Sequence, residues 1–479
     1  MKNSQWHAWL IPALLFLLPL PGRTQAPAHP ASAPENELLL LSLEQLLDIM
    51  VVSSSKRFQK MSEAPATMTV WTDREMNELG YYTLYDLADI TPGFSSYYIY
   101  GERVLETRGR KAGSFENNKH LILIDGIPVN HARAMKGPIE EDLPLLFAER
   151  VEFLTGPASA LYGVSAYYGA IEIASREPQD RKSDSRARFS FATPDFHRSV
   201  MGSTVYFTDR GTFKMALSYY EKDASKQQLG ISDPTYGYTF TPGNKNVLWD
   251  DKTALFVYGS YRLDNSFLKG LEVGSINLLR TTGMGEHWMW GQYSPEANEL
   301  QWGTFIPYVR YRRNLSKTVA LNTWLLYNRS HEKSFWAVLN RDLEENFDGT
   351  NQTAPYSIYN VPVNNIQGQA EIHWMDNRIM DLIVGLNVDY KHQAGRGMGN
   401  YSYSIMTVGP EPIVDTTVQT TDQFFTISPY LQVQKDLPVL KGLGVTIGLR
   451  NDNGIAGDNT YSAFSPRVGL VQKFTDWLN

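Results

Sequence analysis

The side chains most suited to chemistry are three histidines, a glycine-rich run and two adjacent carboxylates. His331, His373 and His392 fall on separate predicted strands or loops without metal-ligand spacing, so we expect no metal site. The run Gly395-Arg396-Gly397-Met398-Gly399 lacks the strand-to-helix context of a phosphate-binding loop and indicates an external loop. We expect Asp250-Asp251 to lie in a solvated loop. With no nucleophile–base arrangement, the sequence predicts neither an enzyme nor a cofactor.

Two further sets of side chains have a functional and a structural interpretation. One set is aromatic and borders a long predicted loop, where it could stack on a ligand or form a membrane-edge girdle, and we favour the girdle: Trp288, Trp290, Tyr293 and Trp302. The other set is charged and falls on predicted strands: Arg108, Arg150, Glu152 and Arg176. If buried, these charges need partners, which we expect to be each other or carboxylates of later strands.

Composition excludes several classes of protein. The 479 residues carry a net charge of −7 without a dense Lys/Arg stripe, which argues against nucleic-acid binding. The chain has no cysteine, so disulfide frameworks and thiolate metal sites are excluded. Aromatic residues make up 12 %, which suits a membrane barrel with aromatic girdles.

The first residues predict export. Lys2 precedes the apolar stretch 8–20, and Thr24-Gln25-Ala26 resembles a cleavage site, so we interpret residues 1–26 as a secretory signal peptide. The alternative is an N-terminal membrane anchor, which the short apolar stretch disfavours. No later stretch has 18 consecutive apolar residues, so any membrane crossing must use strands.

A compact α+β region follows a linker at 27–62 and extends over residues 63–178. Thr72 and Glu75 form a capping-box pattern for a helix that should end at Gly80. A second helix is predicted at 83–90. Predicted strands occupy 66–71, 120–124, 150–154 and 170–174, with a tight turn at Asp125-Gly126.

From 179 to 479 the pattern changes to strict alternation of apolar with polar or small residues, typical of half-buried strands. A soluble sandwich could give the same alternation. However, short links such as 208–211 and 314–317 alternate with long ones such as 222–252 and 330–365. Outer-membrane barrels have this arrangement of tight turns on one side and long loops on the other, so we predict an antiparallel transmembrane β-barrel of about twelve strands.

The compact region resembles the plug domain of TonB-dependent outer-membrane receptors. The resemblance rests on motifs in the family's order and spacing: Thr107-Arg108-Gly109, Leu121-Ile122-Leu123-Ile124-Asp125-Gly126-Ile127-Pro128-Val129-Asn130, Glu149-Arg150-Val151-Glu152 and Gly156-Pro157-Ala158-Ser159-Ala160-Leu161-Tyr162-Gly163. Two positions depart from the family pattern, because Thr155 replaces an arginine and Glu172 replaces an asparagine. Both departures concern expected plug–barrel contacts.

The resemblance implies a short N-terminal segment that the inner-membrane-anchored protein TonB grips by strand addition. The best candidate is Asp48-Ile49-Met50-Val51-Val52-Ser53, which lies after a Pro-rich linker. The alternative is that residues 38–52 form a helix docked on the plug.

The resemblance also implies a function. It predicts a receptor in the outer membrane of a Gram-negative bacterium, in contact with outer-membrane lipid and TonB, which imports a ferric siderophore or similar bulky nutrient. The alternatives are a non-transporting binding or adhesion protein and a passive porin, which a plug in the lumen disfavours. Ligand-binding residues are not predicted. Since a plugged lumen belongs to barrels of about 22 strands, we expect a barrel that lacks its later strands.

Overall fold

The computed structural model describes residues 50–51, 59–60, 67–99, 101–111, 117–133, 135–156, 158–178, 182–193, 197–224, 250–283, 299–337, 353–376, 380–396, 403–406, 419–437 and 443–472. The predicted signal peptide, most of the linker and most of the candidate TonB segment lie outside these residues. The same is true of Pro157, Trp288, Trp290 and Tyr293. None of the described helices is both long and apolar enough to cross a membrane.

The N-terminal α+β domain, called the plug below, contains three small sheets, one of them the pair β1-β2, and three short α-helices. Its elements are β1 (Met50–Val51), β2 (Gln59–Lys60), β3 (Thr67–Thr72), α1 (Asp73–Leu79), α2 (Leu84–Ile90), β4 (Phe94–Ile99), β5 (Glu102–Thr107), β6 (Arg110–Lys111), β7 (His120–Ile124), β8 (Ile127–Pro128), β9 (Ala148–Thr155), α3 (Ser159–Tyr162) and β10 (Gly169–Ser175). The five-stranded plug sheet has the order β3-β9-β10-β7-β8, with β7 and β10 parallel, and a second sheet has the order β4-β5-β6.

Local sequence explains where the plug helices begin and end. The Thr72 side chain accepts a hydrogen bond from the backbone N–H of Glu75, whose carboxylate accepts from the N–H of Thr72 in return. This is the predicted capping box, and it provides partners for N–H groups that a helix start leaves unpaired. Helix α1 ends at Gly80, whose φ of 73° lies in the left-handed region. A second box joins Thr83 and Asp86 at the start of α2.

The rest of the described chain forms one large antiparallel sheet. Its strands are β11 (Asp184–Ala192), β12 (His197–Phe207), β13 (Gly211–Lys222), β14 (Lys252–Leu263), β15 (Leu271–Gly283), β16 (Glu299–Asn314), β17 (Val319–Ala337), β18 (Thr353–Asp376), β19 (Met380–Arg396), β20 (Tyr403–Met406), β21 (Gln419–Leu437), β22 (Leu443–Ala456) and β23 (Asn459–Gln472). Twelve of them pair in sequential order, and β20 pairs only with β18. This confirms the predicted sheet of about twelve strands. Within the described residues, β11 and β23 are its two free edges.

The two faces of the large sheet differ as the alternation predicts. Its outer face exposes apolar side chains, including Phe189 (72 % exposed), Val468 (69 %) and Leu470 (67 %). A soluble sandwich would bury such side chains, whereas a membrane barrel turns them toward lipid. The inner face, which packs on the plug, carries buried polar residues such as Lys214 and Arg280. The sandwich alternative is therefore not what the chain adopts.

One apolar core joins the plug to the large sheet. It contains plug residues such as Ile122, Ile171 and Phe153 and inward side chains of β13 to β17 such as Phe256 and Ile306. The plug therefore packs against the inner face of the sheet and shares its core.

Candidate functional site

Charged plug residues meet charged residues of β14 and β15 in what we call the Glu140 cluster: Glu102, Lys136, Glu140, Glu141, Asp142, Lys252 and Arg280. Nζ of Lys252 lies 2.5 Å from Glu140 and 3.0 Å from Glu141, and Arg280 lies 2.5 Å from Glu102 and contacts Glu140. The Arg280 and Glu140 side chains are almost fully buried. Buried charges at such distances depend on each other, because an unpaired one would be strongly destabilising.

Two carboxyl groups of this cluster titrate differently. Burial by itself would raise the pKa of Glu140, but Arg280 and Lys252 hold that pKa below its usual value. Burial raises the pKa of Asp142 to about 6, against the attraction of Arg280. Neither carboxylate oxygen of Asp142 accepts a hydrogen bond from the described residues. Nη1 of Arg280 lies 3.8 Å from Oδ1 of Asp142, which is longer than the contacts of Arg280 with Glu102 and Glu140.

The predicted turn at Asp125-Gly126 is an attachment point between plug and large sheet. Asp125 and Gly126 have φ of 51° and 83°, so both adopt the left-handed conformation. The backbone carbonyl of Asp125 accepts hydrogen bonds from Arg310 and, at 2.7 Å, from Arg312. Two guanidinium groups of β16 therefore hold one plug carbonyl.

The Asp125 carboxylate is held from several directions. It accepts hydrogen bonds from the N–H of Ser175 at 2.9 Å and from the Tyr258 hydroxyl at 3.3 Å, and Nζ of Lys214 lies 3.8 Å away. Burial would raise its pKa, but Lys214 and Arg310 lower the pKa below the usual value. Asp125 is therefore an anionic anchor in the folded plug.

Two carboxylates face each other on neighbouring plug strands. Glu172 of β10 is directly opposite Glu152 of β9 in the antiparallel register. Arg150 Nε donates to Glu152 at 2.9 Å, and the N–H of Gly126 donates to Glu172 at 2.8 Å. Burial, together with the charges of Glu152 and Asp125, raises the pKa of Glu172 to about 8. Like charges directly opposite each other destabilise a sheet, so Glu172 holds its proton at neutral pH.

The Tyr162-Gly163 segment seats α3 against β21 to β23. Gly163 has φ 88° and ψ −163°, and a Cβ there would lie 3.0 Å from a guanidinium nitrogen of Arg450. The positive φ restricts this position to glycine, whereas the approach alone would require the flexible guanidinium of Arg450 to shift by only a few tenths of an ångström. The adjacent Leu161 packs on Ile383 and Tyr430. Gly156 also has a positive φ, of 112°.

The remaining predicted charges have different environments. Arg108 is exposed, with φ 53°, and its N–H donates to the carbonyl of Gly93 at 2.8 Å; Gly109, with φ 69°, completes this turn. Arg176 is buried and pairs with Asp184 of β11. The Arg108-Gly109 pair therefore shapes a turn, whereas Arg176 connects the plug to the large sheet.

The candidate TonB-contacting segment is described at two residues. Met50 and Val51 form β1, which pairs antiparallel with Gln59 and Lys60. These two residues are extended and not helical, which disagrees at this point with a docked helix over 38–52. Asp48, Ile49, Val52 and Ser53 lie outside the described residues.

Two expectations from the sequence are wrong. Trp302 is 3 % exposed and its ring lies 4.5 Å from the Arg280 guanidinium, so it faces the plug and not a membrane-edge girdle. Trp302 lies on the same face of β16 as the buried residues Leu300 and Ile306, because side chains two positions apart in a strand point to the same side. Asp250 is 9 % exposed and lies 2.5 Å from Nζ of Lys222. It is a buried ion-pair partner and not a solvated loop residue.

Sequence reasoning missed the cations of the large sheet that hold the plug: Lys214, Lys252, Arg280, Arg310 and Arg312. A signal was present, because inward positions on β15 follow period 2 and Arg280 shares the phase of Ile276 and Leu278, which are both fully buried. A basic residue at an inward-facing position predicts a buried acidic partner.

A cavity of about 1090 Å³ separates part of the plug from the large sheet. Its lining is mixed, with charged side chains such as Arg150 and Glu172 of the plug and Glu371 and Arg450 of the sheet beside apolar ones such as Leu123 and Trp324. Among the described residues, no group of three or more His, Cys, Asp or Glu side chains is placed to hold a metal ion.

Comparison with known proteins agrees with this architecture. Residues 60–170 match the family model described as the TonB-dependent receptor plug domain. The vitamin B12 transporter BtuB of Vibrio vulnificus is 26 % identical over 216 residues, covering 42 % of this chain and 32 % of the relative. The ferrienterobactin receptor of Escherichia coli is 22 % identical over 406 residues, covering 74 % of this chain and 50 % of the relative. The chain thus spans between about a third and a half of the length of these curated relatives.

Solved structures share the fold. BauA, the ferric preacinetobactin receptor of Acinetobacter baumannii, matches with a TM-score of 0.65 at 13 % identity, covering 89 % of this chain and 64 % of that one. The ferric enterobactin receptor PfeA of Pseudomonas aeruginosa, as a Q482A mutant with enterobactin, matches with a TM-score of 0.59 at 15 % identity, covering 85 % and 60 %. Residues 60–170 therefore form a TonB-dependent receptor plug domain, and the chain joins it to the strand architecture of these receptors.

Proposed function

We propose that this chain acts in the outer membrane of a Gram-negative bacterium as a receptor for energy-dependent import of a siderophore-like iron complex or similar bulky nutrient. Relatives named for vitamin B12 and for ferrienterobactin support this class of cargo. The exposed apolar face of the large sheet is suited to contact with outer-membrane lipid.

The observation that carries the proposal is the way the plug is held. Buried ion pairs such as Arg280–Glu140 and Lys252–Glu140 cross from sheet to plug, as do hydrogen bonds from Arg312 and Tyr258. A passive porin has an open aqueous lumen, and a domain seated here would obstruct it. Passage of a bulky solute therefore requires work on the plug.

We infer that TonB supplies this work through the segment Asp48 to Ser53. An extended segment can add a strand to a partner, and main-chain hydrogen bonds then transmit force. The first strand that a pull from this segment reaches in the plug sheet is β3, which is an edge strand paired only with β9 among the described elements. An edge strand can separate without first disrupting the interior of the sheet.

Growth assays test the proposal. A strain that lacks this gene is given single sources of iron or cobalamin, namely a panel of ferric siderophores including ferric enterobactin, and cyanocobalamin. We expect the full chain to restore growth on at least one of them in a background with TonB and not in one without it. Growth that is restored equally with and without TonB would contradict the proposal.

A second candidate function is binding or adhesion on the same scaffold without transport. It is supported by the extent of the buried plug contacts, which are suited to a permanently seated domain. It predicts that cells retain the labelled complex at their surface while none enters the periplasm, with or without TonB.

A further inference from the structure

Three successive outward positions of β17 carry basic side chains. Arg329, His331 and Lys333 are all exposed. The residues between them face inward, since Ser330 is fully buried and Glu332 forms an ion pair with the plug. Side chains two positions apart in a strand share a face, so the three basic residues lie together on the outer face of the large sheet. We call them the Arg329 patch.

The cations at the two ends of this patch are not neutralised by the protein. Neither Arg329 nor Lys333 forms an ion pair with a residue that the structure describes. By contrast, Arg198, an outward cation of β12, pairs with Glu221 of β13 at 2.8 Å. The Arg329 patch therefore presents positive charge for which the described part of the chain provides no acidic partner.

The patch begins where the apolar part of the outer face ends. On β17 the outward positions from Val319 to Tyr327 are apolar except for Thr323. On β18 and β19 the outward positions of 366–374 and 382–390 are apolar or glycine. Each stretch covers about nine residues, which is the length that a tilted strand needs to cross the hydrocarbon region of a membrane.

Polar residues follow these apolar stretches on all three strands. The register pairs Arg329 with Asn364 of β18, and Asn364 with His392 of β19. The Tyr327 hydroxyl donates to Oδ1 of Asn364 at 2.6 Å, as expected of an amphipathic aromatic side chain at a membrane–water interface. The Arg329 patch therefore lies at the level of the lipid head groups, where a lipid-facing cation costs much less than at the middle of the bilayer.

The lengths of the connections indicate which side of the membrane this is. At the end of β17 that carries the patch, residues 338–352 connect it to β18. At the opposite end, only residues 315–318 connect it to β16. Outer-membrane barrels have their long connections on the external side and their short turns on the periplasmic side. The patch therefore belongs to the level of the outer leaflet.

Exposed apolar side chains adjoin the patch. Phe305 of β16 is directly opposite Arg329 in the antiparallel register, and Leu325 lies on the same face of β17 as Arg329. Phe305 is 47 % exposed and Leu325 is 57 % exposed. A soluble anion would leave this apolar surface uncovered, whereas a lipid covers it with acyl chains while its head group meets the cations.

We propose that the Arg329 patch binds the phosphate groups of an anionic lipid in the outer leaflet, with the acyl chains of that lipid against the outward apolar side chains of β16 to β18. This inference rests on the proposed function, which places the chain in the outer membrane. Guanidinium and ammonium groups are suited to phosphate. At about 3.3 Å per residue, Arg329 and Lys333 lie roughly 13 Å apart along β17, so the patch is long enough to contact two phosphate groups of one head group.

Native mass spectrometry of the full chain in an uncharged detergent tests this proposal, with bisphosphorylated lipid A as the probe. We expect Arg329→Gln combined with Lys333→Gln to weaken binding of this lipid by about tenfold or more, because each cation beside an anionic head group contributes a factor of about five. Arg329→Lys keeps the charge and should retain most of the affinity. The wild-type chain should bind monophosphorylated lipid A more weakly than the bisphosphorylated form.

Lys317→Gln combined with Lys435→Gln is the matched control. Both lysines are exposed and lie at the opposite end of the large sheet, Lys317 between β16 and β17 and Lys435 near the end of β21. This variant removes the same charge at a distance from the patch over which salt screens it, so it should change the affinity by less than about twofold. Neither double variant should alter the melting temperature of the lipid-free chain, because exposed side chains without ion pairs contribute little to stability.

The outcomes separate the lipid site from the proposed function. Equal weakening by the two double variants, or no weakening by Arg329→Gln with Lys333→Gln, would overturn the lipid site. Displacement of bound lipid A by millimolar inorganic phosphate would also overturn it, since phosphate alone would then occupy the patch. Each of these results would leave TonB-dependent import standing. Growth restored equally with and without TonB would instead contradict the proposed function and leave the measured lipid binding unaffected.

Discussion

Replacing Glu172 with glutamine should stabilise the plug sheet at neutral pH and have little effect in acid. In the folded plug, burial and the neighbouring charges of Glu152 and Asp125 raise the pKa of Glu172 to about 8 from a usual value of 4.5. Between these two values the folded state holds one proton more than the unfolded state. The free energy of unfolding therefore falls as the pH rises through this window.

The magnitude follows from the size of the window. The free energy of unfolding falls by about 1.4 kcal/mol for each pH unit above the unfolded pKa. Compared with strongly acidic solution, the wild-type chain is therefore less stable by about 3 kcal/mol at pH 7 and by about 1 kcal/mol at pH 5. Glutamine cannot ionise, and its side-chain oxygen still accepts the hydrogen bond that the N–H of Gly126 donates to Glu172. Glu172→Gln removes this pH-dependent loss.

Hydrogen exchange of peptides that cover β9 and β10 measures the effect. Each variant is compared with the wild-type chain at the same pH, so that the intrinsic chemistry of exchange cancels. The protection of Glu172→Gln relative to wild type should be between one and two orders of magnitude larger at pH 7 than at pH 5. Glu149→Gln, at an exposed position of β9, should show no such change. If the protection of Glu172→Gln divided by that of the wild-type chain is equal at the two pH values, or larger at pH 5, the reasoning is refuted.

Three further substitutions should lower the thermal stability of the purified chain in detergent. Arg280→Met should cost about 3–5 kcal/mol, because Glu102 and Glu140 would stay buried without their guanidinium partner. Gly163→Ala should cost about 1–3 kcal/mol, since φ 88° with ψ −163° is restricted to glycine. Thr72→Ala should cost about 1 kcal/mol through loss of the capping box, and Thr72→Ser should retain most of the stability.

Each of these predictions has its own contrary result. An unchanged melting temperature for Arg280→Met would show that the Glu140 cluster does not stabilise the seated plug. A neutral Gly163→Ala would mean that the segment relaxes into an ordinary conformation. Equal losses for Thr72→Ala and Thr72→Ser would mean that the hydroxyl is not what stabilises the start of α1.

Local patterns in the sequence predict the elements of this fold well. The capping box of Thr72 and Glu75, the helix end at Gly80 and the turn at Asp125-Gly126 all depend on residues within a few positions of each other. The alternation that predicts the strands of the large sheet is also local, because period 2 assigns each residue to a face. The strand count and the antiparallel order follow from it.

The contacts between plug and sheet could not be predicted in the same way. Arg280 and Glu140 are 140 positions apart in the chain, and only the folded sheet brings them together. The error at Trp302 has a related cause, since an aromatic residue beside a long loop suits either face until the phase of its strand is known. Asp250 pairs with Lys222, the last residue of β13, because the register of β13 and β14 places the two residues side by side. That register is not visible in the sequence.

The most direct measurement of TonB-driven import is uptake by a chain that lacks residues 48–53, compared with a chain that lacks six residues of the linker, 27–32. Cells that produce either chain receive a labelled form of the compound that restored growth in the presence of TonB. Binding at the cell surface and accumulation in the periplasm are measured separately. We expect removal of 48–53 to abolish accumulation and leave surface binding intact, while removal of 27–32 changes neither. Accumulation that survives the loss of 48–53 would contradict import driven through this segment.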